Sequence, residues 1–219
     1  MTARRDYALE RAAFVRAISS GSMESARRIV TRMSRSSVPV ADMFVEVFQP
    51  ALYEIGDRWE RGELSVAQEH VATAITITQI AGLARRPRRV DGPPLAVLAA
   101  IEGEEHVVGL QMLAHLLEVD GWEVALVGAA TPTSELVAYV VARVPRVVGL
   151  SVGLREHVGS LPSVIALLRA AAPGVTIVVG GLAVAGRGDA VREAGADIHA
   201  TDAASAVAAL AAVRETVVS

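Results

Sequence analysis

Apolar residues recur at three- and four-residue spacing from Tyr7 to Leu83, as in Leu9, Ala12, Ala13 and Ile18, which places them on one side of a helix. The pattern predicts four helices at about 6–19, 22–34, 39–61 and 65–84. Ser19-Ser20-Gly21-Ser22, the stretch from Ser34 to Pro39, and Arg61-Gly62-Glu63 separate them, and Pro50 predicts a kink or a break inside the third. Beyond residue 90 the period changes. Short apolar, β-branched runs at Leu95–Ile101, Glu123–Val127, Val147–Val152, Thr176–Val179 and Asp197–Ala200 are each followed by a helical pattern, at Val107–Glu118, Ser134–Arg143, Ser160–Ala172, Ala183–Ala194 and Ala203–Val213. The strands are apolar on both faces, as helix-covered parallel strands must be. The fold class expected is therefore α + α/β. A four-helix bundle at 1–86 precedes a Rossmann- or flavodoxin-like domain at 92–219, with a doubly wound, five-stranded parallel sheet. Ligands of such sheets lie over the carboxyl ends of the strands, here the loops 102–109, 128–133, 152–159, 180–185 and 200–203.

Composition narrows this picture. The 219 residues are 52% hydrophobic but only 4% aromatic, which points to a core of Ala, Val, Leu and Ile. With no cysteine, disulfides, thiolate metal sites, thiol nucleophiles and thioether-linked chromophores are excluded, and a cytoplasmic location is expected. Met-Thr-Ala-Arg-Arg-Asp at the start is followed by no apolar segment, so no signal peptide is expected. The longest apolar candidate for a membrane span, Val124 to Val141, is interrupted by Gly128, Pro132 and Glu135. A formal charge of −3 gives no electrostatic footprint for nucleic acid, so any effect on DNA would pass through a partner. The basic, proline-rich run Arg85 to Pro94 reads as a solvated linker in preference to a nucleic-acid contact.

The candidate chemistry centres on Glu104-Glu105-His106-Val107-Val108-Gly109, directly after the first predicted strand. An imidazole there stands where α/β sheets bind ligands. A carboxylate two residues earlier can hold the ring's other nitrogen, and Gly109 lets a bulky group approach the backbone. This suits the presentation of one histidine to a metal inside a large planar cofactor. No Gly-x-Gly-x-x-Gly follows the strand, so dinucleotide binding has little support.

Three motifs in register then give a family resemblance. Glu104-x-His106-x-x-Gly109, Leu150-Ser151 and Gly180-Gly181, within about residues 92–216, resemble the pattern of cobalamin-binding domains in methionine synthases, corrinoid methyltransferases and B12 photoreceptors. The resemblance implies that His106 binds cobalt from below, in place of the cofactor's own base. The detached nucleotide tail then runs into the sheet beside Ser151, Gly180 and Gly181. The family has Asp where this chain has Glu104; the extra methylene requires a backbone shift for the usual hydrogen bond to His106, or leaves the role to Glu105.

In the helical half, nine residues separate Trp59 from the Glu69-His70 pair, an arrangement that resembles the bundle of adenosylcobalamin photoreceptors of the CarH type. There Trp59, Glu69 and His70 would cap the upper face of adenosylcobalamin and enclose the adenosyl group; the plain alternative is a core Trp59 and a surface pair. Two features depart from the repressor type. No helix-turn-helix precedes the bundle, so a self-contained repressor is not expected, and Glu60 stands where that type has the light-state upper histidine. Another ligand, such as water or His70, would have to take that place. A bundle-plus-B12 chain of this kind looks like the photocobilins, which implies noncovalent biliverdin as a second chromophore, with Arg85, Arg86, Arg88, Arg155 and Arg187 as candidate partners for its propionates. The function expected is light sensing and not enzymatic catalysis: photolysis would change conformation or oligomeric state, in a dimer or tetramer, and so regulate a protein effector. The rival is a corrinoid methyl-carrier protein of a methyltransferase system. His157, in the loop after the third strand, is within reach of the cofactor's lower side, while His115 and His199 read as surface or packing residues and Trp122 as packing.

Overall fold

The computed structural model describes residues 6–215. Met1 to Arg5, part of the segment inspected for a signal peptide, and residues 216–219 at the end of the expected second domain lie outside the described residues. The chain divides into two compact units, Met1–Ala84 and Arg85–Ser219.

The first unit is helical. Its elements are α1 (Ala8–Ser19), α2 (Met23–Arg35), α3 (Val40–Asp42), a π-helical stretch Met43–Phe48, α4 (Gln49–Glu60) and α5 (Val66–Gly82). The third predicted helix is thus continuous in space from 40 to 60, and the effect of Pro50 is neither a clean break nor a simple kink. Proline has no N–H to give Glu46 and its ring crowds that carbonyl. The preceding turn widens instead, with Gln49 N–H donating to the Phe44 carbonyl five residues back. The core is aromatic at this point: Phe14 stacks on Phe48 at 4.6 Å, Phe44 leans on Phe48, and all three are fully buried. Helix α5 begins at a capping box in which Gln68 N–H donates to Ser65 Oγ and Ser65 N–H donates to the Gln68 side chain.

The second unit is the expected parallel sheet. It comprises β1 (Leu95–Ala100), α6 (Val108–Asp120), β2 (Glu123–Gly128), α7 (Thr133–Arg143), β3 (Val147–Ser151), a 3-10 turn Arg155–Ser160, α8 (Leu161–Ala171), β4 (Thr176–Gly180), a 3-10 turn Leu182–Val184, α9 (Gly188–Glu193), β5 (Ile198–His199) and α10 (Ala203–Glu215). The strand order is β2-β1-β3-β4-β5, all parallel. Alternate β1 residues feed opposite cores: Val97 and Ala99 pack with Leu136, Val140 and Ile165 of α7 and α8, while Ala96, Leu98 and Ala100 pack with Leu110, Leu117 and Leu210 of α6 and α10. The predicted helix Ala183–Ala194 is broken in two, because Gly186 turns the chain in the left-handed region at φ +72°.

The segment before β1 differs from a solvated linker. Arg85 pairs with Glu118 at 2.8 Å and donates from Nε to His115 Nδ1 at 3.3 Å, and Arg88 N–H donates to the Val119 carbonyl. It lies against the end of α6, where Gly121 closes the helix at φ +96°; a Cβ at that glycine would stand 2.8 Å from Val90. His115 is correspondingly buried, not a surface residue, and Trp122 is core as expected.

Candidate cobalamin site

Strand order puts the site where it is. The chain leaves β1 for β2 on one side and later returns to β3 on the other, so the loops after β1 and β3 adjoin at the switch point of the sheet. In register, Ala100 pairs with Ser151, which brings residues 101–106 beside residues 152–157. Gly103, at φ +82°, turns the chain back so that Glu104 N–H reaches the Ile101 carbonyl, and Ala130 N–H donates to the Glu104 carbonyl from the loop after β2.

The Glu104 side chain is completely buried beneath these loops, whereas the His106 side chain is 66% exposed. Oε1 of Glu104 accepts from His106 Nδ1 at 2.5 Å and from His106 N–H at 3.0 Å. Oε2 accepts from the backbone N–H groups of Gly153 and Leu154, at 2.7 and 2.8 Å, and from His157 Nδ1 at 3.2 Å. Burial pushes this carboxyl's pKa up, but the hydrogen bonds from His106, Leu154 and His157 outweigh it and hold the value down to about 2. The acid is therefore a fixed carboxylate. It keeps the proton of His106 on Nδ1 and leaves the Nε2 lone pair as the ring's available donor.

The longer carboxylate consequently reaches His106 after all, and Glu105, which is exposed, does not take the role. Glutamate fits because its head drops to the Gly153 and Leu154 N–H groups. A Cβ at Gly153 would stand 3.1 Å from both Glu104 Oε2 and His106 Cβ, so any larger residue there would crowd the pair.

The remaining residues on this unit divide by environment. A Cβ at Gly109 would meet nothing within 4 Å, so the first turn of α6 offers bare backbone to open space. Ser151 ends β3 between Ala100 and Gly180 in the sheet register. Gly181 adopts φ +113° and ψ +163°, and a Cβ there would fall 2.3 Å from the Val152 carbonyl oxygen, while one at Gly180 would stand 3.1 Å from the Ala200 carbonyl. Gly181 is thus required by the chain's own backbone at the end of β4, and Gly180 is in tight contact with the next strand's end. His199 is half-buried against the Val184 carbonyl at 3.0 Å, in a packing position.

On the helical unit, Trp59 lies in the last turn of α4 and Glu69 and His70 in the first turns of α5, so the corner between the two helices carries all three. Gly62, at φ +72°, makes that corner, and Glu63 N–H donates to the Arg58 carbonyl across it. Trp59 is 46% exposed, so it is not a core residue. The His70 side chain is 73% exposed, and Glu69 Oε2 lies 3.6 Å from its Nε2 while Oε1 accepts from Thr73 Oγ1. Glu60 is exposed. Of the arginines considered for an anionic partner, Arg85 is already committed to Glu118 and His115.

The donor set fits a cobalt corrin. A single exposed imidazole with its second nitrogen on a buried carboxylate would offer one ring nitrogen to such a cofactor; no group of three or more His, Cys, Asp or Glu suited to a bare metal ion occurs among the described residues. His157, expected within reach of the cofactor's lower side, contacts Glu104 Oε2 through its Nδ1. Only the pairing of β3 with β1 brings it there, and nothing local to residues 155–158 signals it.

Two B12 binding domain families match this chain, one over residues 94–211 and the other over residues 10–81. The chain is 34% identical over 154 residues to the HTH-type transcriptional repressor CarH of Myxococcus xanthus, a match covering 68% of this chain and 50% of that protein. It is 36% identical over 134 residues to the HTH-type transcriptional repressor CarA of the same organism, covering 61% and 44% respectively. The chain thus spans about half the length of the curated relatives it matches. Its fold is shared with the monomethylamine corrinoid protein of Methanosarcina barkeri, with a TM-score of 0.78 over 93% of this chain and 98% of the other at 18% identity. With the first of the two families covering more than half its length, this chain belongs to the B12-binding family.

Proposed function

We propose that this protein is a light sensor that binds adenosylcobalamin, with His106 as the lower cobalt ligand and with Trp59, Glu69 and His70 over the upper face. The observation that carries the reading is the His106–Glu104 pair, in which a buried carboxylate, its pKa held low by its hydrogen bonds, orients an exposed imidazole. Glu104 fixes the tautomer, Gly109 leaves the approach clear, and Ser151, Gly180 and Gly181 flank the path of the nucleotide tail. The cofactor supplies a cobalt–carbon bond that visible light breaks. The exposure of Trp59 and of the neighbouring His70 supports a capping role, since an indole gives a flat apolar cover and the Glu-His pair can hydrogen-bond a ribose or adenine. Loss of the adenosyl group removes what that corner covers and frees the bundle to change its contacts.

In this reading the protein is cytoplasmic and homo-oligomeric, as a dimer or tetramer, and acts on a protein effector without touching nucleic acid itself. No helix among the described residues is long and apolar enough to cross a membrane. Its output is a conformational signal and not turnover of a substrate. Biliverdin, as a noncovalent second chromophore, would draw on Arg85, Arg86, Arg88, Arg155 and Arg187, of which Arg85 also pairs with Glu118.

Reconstitution with adenosylcobalamin in the dark, followed by visible light, tests the proposal. The expected result is a dark-stable complex whose absorption spectrum and hydrodynamic size both change on illumination, with a further long-wavelength band if biliverdin is added and retained. Absence of any light-dependent change overturns light sensing. Tight methylcobalamin binding with turnover by a partner methyltransferase would assign the chain to the corrinoid methyl carriers.

A further inference from the structure

We infer that the outer face of α7 and α8 is the surface on which a second copy of this chain docks, with the two copies of α7 running antiparallel. The inference rests on the homo-oligomer of the proposed function and gives it a surface. Both helices cover the same side of the sheet, where Leu136 and Val140 of α7 share a core with Leu161 and Ile165 of α8. Ion pairs mark their flanks: Arg143 of α7 reaches Glu123 at the start of β2, and Arg169 of α8 reaches Asp197 just before β5. Those strands are the two edges of the sheet, so the arginines stand on the outer flanks of the helix pair. A residue two positions earlier lies about 200° around a helix, which turns Val141 and Leu167 toward the seam between α7 and α8. Both are half exposed there.

The face is short of charge as well as apolar. Between Glu135 and Arg143 α7 has no charged residue, and Arg169 is the only one in α8. On α2, by contrast, Glu24, Arg27, Arg28 and Arg32 occupy the exposed side. Directly after α7, Val144 takes the left-handed conformation at φ +49° and ψ +54°, where a branched side chain is strained and glycine is not. That side chain is 82% exposed, so its apolar surface serves little packing within the chain. An apolar strip with charge only at its rim has the anatomy of a protein interface. The rim also selects the occupant. Glu135 lies in the first turn of α7, with Arg143 in the last turn and exposed Arg146 just beyond, so an antiparallel copy brings Glu135 of each chain to the arginines of the other. A two-fold axis makes both pairings at once, and Ala138 and Ala142, small and exposed between them, let the helices approach closely.

Sedimentation velocity of the cofactor-free full chain, over a series of concentrations, tests this without any photochemistry. The parent is expected to form a concentration-dependent dimer. Leu167→Lys and Val141→Lys are each expected to raise its dissociation constant by roughly tenfold or more, and Glu135→Arg to raise it by setting like charges against each other. Leu9→Lys, which replaces an exposed leucine on α1 outside this face, is expected to leave the dimer unchanged. All four positions are exposed, so melting temperatures close to the parent's are expected, and Leu167→Gln stands in for a lysine variant whose melting temperature falls. A dimer that tolerates both Leu167→Lys and Val141→Lys overturns the inference, and so does a dimer lost in Leu9→Lys. Glu135→Arg dimerising as tightly as the parent overturns the antiparallel pairing and the inference with it. A parent that stays monomeric at every concentration overturns the inference and the homo-oligomer together, while the light response is judged separately on the spectrum of the cobalamin complex.

Discussion

Glu104 is the residue on which the site depends most, because it combines complete burial with a charge kept at neutral pH. Glu104→Gln keeps the shape and one acceptor but loses the charge, and it offers an N–H where the Gly153, Leu154 and His157 donors converge. We expect this variant to weaken cobalamin retention by ~10–100-fold while Glu105→Gln leaves retention unchanged, as measured by equilibrium dialysis of the reconstituted protein. The carboxylate also sets an acid limit. Its folded pKa is depressed to about 2, so its contribution is fully present above the ordinary carboxylate pKa and is lost as pH falls through the folded value. That depression corresponds to ~3 kcal/mol, of which about 2 kcal/mol is lost between pH 6 and pH 3, to be read as the fall in the parent's stability advantage over Glu104→Gln in urea unfolding at those two pH values. At Gly181 the chain occupies a backbone region reserved for glycine with Val152 against it, and Gly181→Ala should cost ~3 kcal/mol or more in the cofactor-free protein, measured in the same way. His106 and its acidic neighbour were legible in the sequence because both lie within six residues of a strand end. His157 was not legible as a partner of Glu104, since 53 residues separate them and the contact exists only through the β1–β3 pairing.

Helices and strands were legible wherever periodicity alone decides them. The four predicted helices and five strands all occur, with ends displaced by at most a few residues. What sequence did not reveal came from contacts between elements. Ala183–Ala194 has helical periodicity, but the left-handed turn at Gly186 divides it. The run from Arg85 has the composition of a solvated linker, yet Glu118 and His115 on one side of α6 bind its first arginine. His115 carries a testable consequence. Burial lowers its pKa, and the adjacent Arg85 charge lowers it further, so the folded protein holds this ring neutral where the unfolded chain would protonate it. Stability from this group is therefore present above the ordinary histidine pKa of roughly 6.5 and declines as pH falls below it. A His115→Leu variant should show a flatter dependence of melting temperature on pH between about 7 and 5 than the parent. An equal slope in both would remove His115 as the cause.

At the scale of the whole molecule, the change of period near residue 90 marked two domains, and the chain divides at Ala84–Arg85, with the arginine-rich segment belonging to the sheet unit. The placement of chemistry follows that division: the sheet unit holds the imidazole suited to cobalt, and the helical unit carries the exposed Trp59, Glu69 and His70. If the helical unit covers the upper face, Trp59→Ala in the full chain should leave ligation by His106 intact while shortening dark retention of adenosylcobalamin by ~10-fold or more, a loss of at least ~1.4 kcal/mol. The most direct test of the lower ligand uses the Co(II) cobalamin complex of protein labelled with ¹⁵N only at histidine. Nitrogen-14 has spin 1 and nitrogen-15 spin 1/2, so ligation by His106 predicts that each cobalt hyperfine line, a triplet in unlabelled protein, becomes a doublet in the labelled protein and loses its nitrogen splitting in His106→Ala. A triplet that survives the labelling would mean that the cofactor keeps its own base on cobalt, and would contradict the assignment of His106.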